Sequence, residues 1–186
     1  MQEITEQIFV FNDFFDEHMC DEWLERAEEQ GFDAGAVFTP EGERMAEHIR
    51  NCQEAVIYDE ETAQLLFEFI KEHVASHPQF GDFYGVHPRL RVLRYEQEQF
   101  FAPHTDASID ADDGLSSSRY TFLVYLNTPL EGGATYFPDI WTEDLQIQAQ
   151  CGRALCFEHD VMHAGAAIQS GMKYLLRADL LFSHHA

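Results

Sequence analysis

Basic residues are scarce in this sequence. Its 186 residues include 11 Lys and Arg against 34 Asp and Glu, which gives a formal net charge of −23. A chain with this balance repels phosphate backbones and anionic membrane surfaces. We therefore expect no nucleic-acid partner and no membrane partner. A small basic site enclosed by an acidic surface is still compatible with the composition.

The sequence also lacks a long apolar run and a cysteine framework. No segment is apolar over the length of a membrane span, and the N-terminus has no basic stretch followed by an apolar one. Cys20, Cys52, Cys151 and Cys156 form neither CxxC pairs nor a disulfide-dense pattern. These absences predict reduced structural thiols, no cysteine-based zinc site and a cytoplasmic protein.

Length and composition predict one domain over residues 1–186. Hydrophobic residues make up 45% of the chain, including 16 Phe, which is enough for a core at this length. There are no internal repeats. We expect residues 1–87 to form a helical support and loop region and residues 88–186 to form the barrel core.

Two helices are predicted in the first half of the chain. Asp16 can cap the first, which Gly31 ends, and Asp59 can cap the second, which ends before Pro78. Both segments place apolar residues on one face. The stretch 32–53 between them has little periodicity and is predicted to be a long loop with at most short structure.

The second half of the chain is rich in strand patterns. Strand-like runs occupy residues 89–95, 120–126, 134–137, 154–157 and 174–182, and glycines stand before several of them. Many short strands preceded by helices predict a mainly β, α+β domain in which a jelly-roll barrel is supported on one side by helices. The acidic, serine-rich stretch 107–118 is predicted to be a loop.

A histidine and an aspartate indicate a metal site. His104 and Asp106 are two residues apart, so both side chains point to one face of a strand. Two histidines and one carboxylate can hold an octahedral iron and leave coordination positions open. His163 is our candidate for the third ligand, and His159 is the alternative. A pair of this spacing is common by chance, so its neighbours must support it.

Cations and tyrosines near the predicted triad could bind a dicarboxylic acid. Lys173 follows His163 by ten residues, and Arg177 shares its face if that strand is regular. Tyr95 and Tyr125 could each donate a hydroxyl hydrogen bond to a carboxylate, although either could equally be a core aromatic. The cations could instead form salt bridges, for example with Asp179.

Several ordered segments resemble a known family. They are residues 90–95, 100–106, 119–126, 132–138, 152–163 and 171–179, with weaker similarity in 8–28 and at Arg50-Asn51. In this order they resemble the prolyl 4-hydroxylase-like branch of the Fe(II)/2-oxoglutarate dioxygenases. The sequence departs from the branch at residues 97–99, where relatives usually have a glycine-containing turn, and by the additional His159.

The resemblance implies a fold, a site and an activity. The fold is a double-stranded β-helix, with iron on His104, Asp106 and His163 and 2-oxoglutarate anchored by Lys173. Tyr95 matches a 2-oxoglutarate contact, and Tyr125 and Arg177 match positions near it. The implied cofactors are Fe(II), 2-oxoglutarate and O2, with ascorbate as a possible reductant. Asp106 stands where related halogenases carry Ala or Gly, so the resemblance implies hydroxylation and not halogenation.

The substrate is left open by the sequence. The family's best-known target is a prolyl residue of a peptide or protein, and the alternative is a free amino acid or another small metabolite. Arg119 and Arg50 are candidate substrate contacts. A different class, a cupin-like jelly roll that binds metal without turnover, would not need Lys173. The sequence does not determine the oligomeric state.

Overall fold

The computed structural model describes residues 1–39, 42–112, 114–138 and 145–184. Within them are the helices α1 (Glu17–Gln30) and α2 (Glu60–Val74) and a 3-10 turn, Pro78–Phe80. The strands of the first half are β1 (Gln2–Thr5), β2 (Ile8–Phe11), β3 (Asp33–Ala34), β4 (Val37–Thr39), β5 (Gly42–Arg44), β6 (Gln53–Tyr58) and β7 (Phe83–Val86). Those of the second half are β8 (Arg89–Tyr95), β9 (Phe101–His104), β10 (Ser116–Tyr125), β11 (Glu131–Gly132), β12 (Thr135–Phe137), β13 (Leu145–Ile147), β14 (Ala154–Glu158), β15 (His163–Gly165), β16 (Ile168–Ser170) and β17 (Lys173–Ser183).

Two antiparallel sheets form the framework of the fold. The large sheet has the order β1-β2-β14-β10-β17-β8-β6-β3, and β7 pairs with β17 beside this path. The small sheet has the order β13-β12-β15-β9. Two further pairs, β11-β16 and β4-β5, are short. Because β10, β17 and β8 lie in the middle of the large sheet, their inward residues can line a protected interior.

Strand β10 of the large sheet supplies residues to two separate cores. On β10, Phe122 and Val124 pack with the helices, whereas Leu123 and Tyr125 pack with the small sheet. This division follows from the period of two in a strand, where successive side chains point to opposite faces. The core on the helix side is rich in phenylalanine. The other core lies between the two sheets and surrounds the site described below.

Both predicted helices are present with their predicted caps. The Asp16 carboxylate accepts a hydrogen bond from Met19 N at 2.8 Å, and the Asp59 carboxylate accepts one from Thr62 N at 2.9 Å. Helix α1 ends at Gly31, whose φ is +82°. These caps satisfy amide groups that have no partner inside the helix.

The structure contains strands that the sequence patterns did not indicate. Strand β2 is buried over its whole length and pairs with β14, and β6 pairs with β8 along six residues. Because β2 is covered on both faces, it shows a continuous apolar run and no alternation, so periodicity does not separate it from other buried segments. The predicted loop 32–53 contains the short strands β3, β4 and β5.

The irregular segments agree only in part with the sequence predictions. Residues 116–118 of the predicted acidic loop belong to β10, and Asp113 of that loop lies outside the described residues. Glu98 has a φ of +68°, which is the conformation that a glycine would supply at the turn where relatives usually carry one. All four cysteines are free. No helix in the described part of the chain is long and apolar enough to span a membrane.

Candidate active site

The small sheet brings His104, Asp106 and His163 together. His104 ends β9, His163 begins β15, and the two residues are paired across these strands. Asp106 follows β9 by two residues. One ligand-type atom from each of the three lies within 4.8 Å of the other two. The Asp106 carboxylate is 3.8 Å from His104 Nε2 and 3.5 Å from His163 Nε2.

Backbone carbonyls hold both imidazoles in one orientation. Nδ1 of His104 lies 2.8 Å from the Ala102 oxygen, and Nδ1 of His163 lies 2.9 Å from the Val161 oxygen. Each Nδ1 therefore carries the proton, and each Nε2 keeps its lone pair. Nε2 of His104 is buried and has no hydrogen-bond partner among the described residues. A buried acceptor of this kind is costly unless something binds it.

The surroundings favour neutral imidazoles and an ionised carboxylate. Burial, and then the neighbouring His163, lower the pKa of His104 to about 3, and burial also lowers the pKa of His163. Burial alone would raise the pKa of Asp106, but the Arg177 guanidinium and the two imidazoles lower it below its usual range. These are the protonation states in which both residue types bind metals.

Two side chains fix the Asp106 carboxylate. Thr121 donates its hydroxyl hydrogen bond to Oδ2 at 2.5 Å, and Arg177 donates from Nη1 to Oδ1 at 2.7 Å. Arg177 also donates from Nη2 to Asp179 at 3.1 Å. Such partners orient a metal ligand and set its charge. Sequence patterns did not indicate Thr121, and its only signal is a hydroxyl at an inward position of an apolar strand.

His159 lies apart from the three-residue cluster. Its Nε2 is 3.7 Å from Asp179 Oδ1, whereas the imidazole of His163 lies with His104 and Asp106. The backbone of His159 does contact the site, because its carbonyl accepts a hydrogen bond from Asp106 N at 2.8 Å. The turn after β14 separates the two histidines, so that only His163 returns to the small sheet.

Lys173 is enclosed at the far end of an internal cavity from Arg177. Its side chain is fully buried, and it is paired across β17 and β8 with Tyr95. Its Nζ donates to the Gly133 carbonyl at 2.9 Å and lies 4.3 Å from the centre of the Tyr95 ring. Burial lowers the pKa of Lys173 to about 8. The cavity reaches from Lys173 to His104 and His163.

The other three predicted co-substrate contacts, Tyr95, Tyr125 and Arg177, differ in how they are placed relative to the cavity. Tyr95 lines the cavity beside Lys173. Tyr125 is fully buried and donates its hydroxyl to Thr135 Oγ1 at 2.8 Å, and it is Thr135 that lines the cavity. Arg177 lines the cavity but directs its terminal nitrogens to Asp106 and Asp179.

The two predicted substrate contacts lie in different clefts. Arg50 lines a cleft of about 370 Å3 that also exposes His104 and Asp106. Its guanidinium contacts Cys52, Ala36 and Glu54. Arg119 lies in a separate cleft. There its guanidinium donates to the Gln79 carbonyl and lies over the Phe182 ring. Sequence patterns missed Glu54, Arg89 and Arg91, which line the same cleft as Arg50.

We expect Gly133→Ala to destabilise the fold at the lysine end of the cavity. Gly133 has a φ of +76°, and a Cβ there would lie 2.4 Å from Ile168 Cδ1 and 3.3 Å from Lys173 Cδ. Backbone strain and overpacking together should lower the unfolding free energy by roughly 2–4 kcal/mol in chemical denaturation.

Gly114→Ala is the matched control for this substitution. Gly114 has a φ of +66°, but a Cβ there would have no neighbour within 4 Å. This variant should lose only the backbone contribution, about 1–2 kcal/mol. Equal losses in the two variants would show that the space beside Lys173 can accept a methyl group.

Comparison with known proteins points to one family. A model of the 2OG-Fe(II) oxygenase superfamily matches residues 90–178. Prolyl 4-hydroxylase 1 of Arabidopsis thaliana is 27% identical over 135 residues, which cover 71% of this chain and 47% of that protein. A putative prolyl 4-hydroxylase of Acanthamoeba polyphaga mimivirus is 26% identical over 184 residues, which cover 90% of this chain and 71% of that protein. The chain thus spans about half the length of the first relative.

A solved structure confirms the predicted fold. The viral collagen prolyl hydroxylase of Paramecium Bursaria Chlorella virus-1, in its 2OG complex, superposes with a TM-score of 0.67 at 21% identity. The match covers 95% of this chain and 97% of that one. The predicted jelly roll, or double-stranded β-helix, braced by N-terminal helices is confirmed.

Proposed function

We propose that this chain is a 2OG-Fe(II) oxygenase, the family whose model matches residues 90–178, and that it hydroxylates a prolyl residue of a peptide or protein. The proposal uses Fe(II), 2-oxoglutarate and O2. Both sequence relatives carry the name prolyl 4-hydroxylase. A free amino acid or small metabolite is the less favoured substrate, and a cupin-like metal binder without turnover is not favoured. A domain over 1–186, a cytoplasmic location and the use of ascorbate stay predictions.

The residues at the site fit an iron ion. His104 and His163 would supply Nε2 atoms and Asp106 a carboxylate oxygen, a set that suits non-haem Fe(II). The observation that carries the proposal is His104 Nε2, which is buried and unpartnered although its ring is oriented by Ala102. This nitrogen would gain a partner in the metal. His159 is assigned no such role.

The residues at the lysine end fit 2-oxoglutarate. Lys173 would pair with the distal carboxylate, because it is a fully buried cation whose one hydrogen bond among the described residues is to the Gly133 carbonyl. Tyr95 would lie beside the same carboxylate. Tyr125 would act through Thr135, and Arg177 through the Asp106 carboxylate that it fixes. A lone metal binder would have no use for the buried ammonium.

Bound Fe(II) and 2-oxoglutarate would supply the oxidising power, and residues of this chain would hold the iron ligands in position. Fe(II) with 2-oxoglutarate and O2 supplies oxidation of a C–H bond coupled to decarboxylation of the 2-oxoglutarate to succinate. Thr121 and Arg177 hold the Asp106 carboxylate, and the carbonyls of Ala102 and Val161 hold the imidazoles. Apolar side chains such as Leu93 and Leu175 exclude water from the cavity.

Turnover measured on defined substrates tests the proposal. The protein with Fe(II), 2-oxoglutarate and O2 should form succinate faster when a proline-containing peptide is added, and the peptide should gain 16 mass units. Peptides in which alanine replaces proline are the control. Stimulation by the alanine peptides, or by free amino acids alone, would reject prolyl hydroxylation and leave the oxygenase chemistry intact.

A further inference from the structure

An arginine cluster lines the cleft beside the proposed iron site. The side chains of Arg50, Arg89, Arg91 and Arg177 reach this cleft, and the carboxylates that line it among the described residues are Glu54 and Asp106. The whole chain has only 11 Lys and Arg against 34 Asp and Glu. A concentration of guanidinium groups at one cleft of so acidic a protein indicates a site for an anion.

Two of these arginines face each other across neighbouring strands. Arg177 on β17 is directly paired with Arg91 on β8, and both point into the space between the sheets. Like charges in directly opposite positions destabilise a sheet. Asp179 offsets this repulsion, with oxygens 3.1 Å from Arg177 Nη2 and 3.4 Å from Arg91 Nη2. Arg177 also holds Asp106 at 2.7 Å, so it takes the shorter contacts.

Arg91 is the less well compensated member of the pair. It is 8% exposed, and its Nε, like that of Arg177, is buried without a hydrogen-bond partner among the described residues. Its hydrogen bond to Asp179 is long at 3.4 Å. Burial, and then repulsion by Arg177, lower the pKa of Arg91 to about 10. By contrast, the three guanidinium nitrogens of Arg50 each have a close acceptor.

Arg91 and Lys173 lie at different ends of the site. Lys173 and Arg177 are four residues apart on β17, about 13 Å along a strand. Arg91 lies beside Arg177, at the cleft end, whereas Tyr95 lies beside Lys173. An anion at Arg91 would therefore lie on the cleft side of Asp106 and would belong to the substrate, not to 2-oxoglutarate.

We propose that the Arg91 guanidinium binds a carboxylate of the substrate, so that the preferred substrate is a prolyl compound with a carboxylate beside the hydroxylated ring. The proposal rests on the proposed function. Arg91 is one strand away from Arg177, which holds Asp106, so the carboxylate must be on the target residue or on its sequence neighbour. The source is an acidic side chain next to proline or the main-chain carboxylate of a C-terminal proline.

Peptide binding to the oxygen-free holoprotein tests this inference. Protein loaded with Fe(II) and 2-oxoglutarate under nitrogen cannot turn over, so calorimetry measures peptide affinity without any contribution from catalysis. Blocked alanine peptides with a central proline carry either Glu or its uncharged isostere Gln beside it. A second pair ends in proline as the free acid or as the amide, and free L-proline represents the less favoured free amino acid. These arms distinguish a side-chain carboxylate from a main-chain one.

We expect the carboxylate member of one pair to bind about 10- to 100-fold more tightly than its neutral isostere. Arg91→Gln should abolish this ratio. Arg94→Gln is the matched control, because Arg94 lies three residues along β8 and contacts Gln53 and the Phe32 ring outside the cleft. It should preserve the ratio. A merely structural role for Arg91 would lower stability and leave the ratio unchanged.

The outcomes separate this inference from the proposed function. Equal affinities within both pairs for the unaltered protein would overturn the carboxylate site, and this comparison does not depend on how well Arg91→Gln folds. If these neutral peptides are nevertheless hydroxylated, the proposed function stands. If no prolyl compound is hydroxylated, the proposed function fails, while an Arg91-dependent preference for the glutamyl peptide would still support the anion site.

Discussion

Replacing His163 with alanine should remove both bound iron and turnover. His163 contributes one of two imidazoles whose Nε2 atoms face the Asp106 carboxylate. Loss of residues that merely support a metal ligand costs roughly 10- to 100-fold in affinity or activity, and loss of the ligand itself should cost more. We therefore expect a fall in kcat/KM of more than about 100-fold. Anaerobic Fe(II) with 2-oxoglutarate should give a charge-transfer absorption in the unaltered protein and none in the variant.

His159→Ala is the matched control for this experiment. His159 is also a buried histidine, four residues earlier, but its imidazole lies near Asp179 and outside the three-residue cluster. The variant should keep the absorption and its stoichiometric iron, measured by elemental analysis. If His159→Ala lost the iron and His163→Ala retained it, the assignment of the third ligand would be reversed. His104→Ala should behave as His163→Ala does.

Lys173→Ala should weaken binding of 2-oxoglutarate while leaving iron binding intact. The ammonium is fully buried, so an incoming carboxylate would pair with it away from water. Truncation of one member of a buried, hydrogen-bonded charge pair costs about 2–5 kcal/mol, which is a rise in Kd of roughly 30-fold or more. Anaerobic titration of the iron-loaded protein with 2-oxoglutarate measures this Kd.

The chain offers a matched control for this variant as well. Lys71 is the only other lysine, and it lies on α2 over the Phe67 ring, away from the cavity. Lys71→Ala should leave the Kd unchanged. An unchanged Kd in Lys173→Ala would reject Lys173 as the anchor. Loss of iron together with 2-oxoglutarate would instead show that the substitution had damaged the whole site.

The pKa of Lys173 adds a pH dependence to the same measurement. Burial lowers this pKa to about 8, so the free protein carries the ammonium below that pH and the neutral amine above it. Binding of the dianion should therefore be strongest below pH 8 and should weaken as the pH rises. From pH 7 to pH 9 the Kd should increase about tenfold. Lys173→Ala should show no such increase over this range.

The sequence alone determined the class of fold and the chemistry of the site. The spacing of His104 and Asp106 requires both side chains on one face of an extended segment, and β9 with the residues after it supplies that arrangement. The strand pattern of the second half and the capping residues Asp16 and Asp59 likewise depend on local geometry. Local periodicity and capping can be read from neighbouring residues, which is why these predictions agree with the structure.

Two strands of the large sheet were not predictable in the same way. Ile8–Phe11 and Gln53–Tyr58 join the large sheet through partners that are distant in sequence. The apolar residues of Ile8–Phe11 are divided between the two cores, so they carry no alternation that would mark a strand. The choice of His163 over His159 came from its ten-residue spacing to Lys173, and the structure adds that His163 is paired with His104 in the small sheet.

The tertiary structure alone decided how the arginines are used. The sequence placed Arg177 near 2-oxoglutarate and gave no role to Arg91, because register between strands cannot be read from either strand by itself. Pairing of β8 with β17 puts the two guanidinium groups opposite each other. In this arrangement Arg177 donates a hydrogen bond to Asp106. The proposed ligand set thus followed from residue type and spacing, whereas the charge of the proposed substrate cleft followed from strand register, which long-range packing sets.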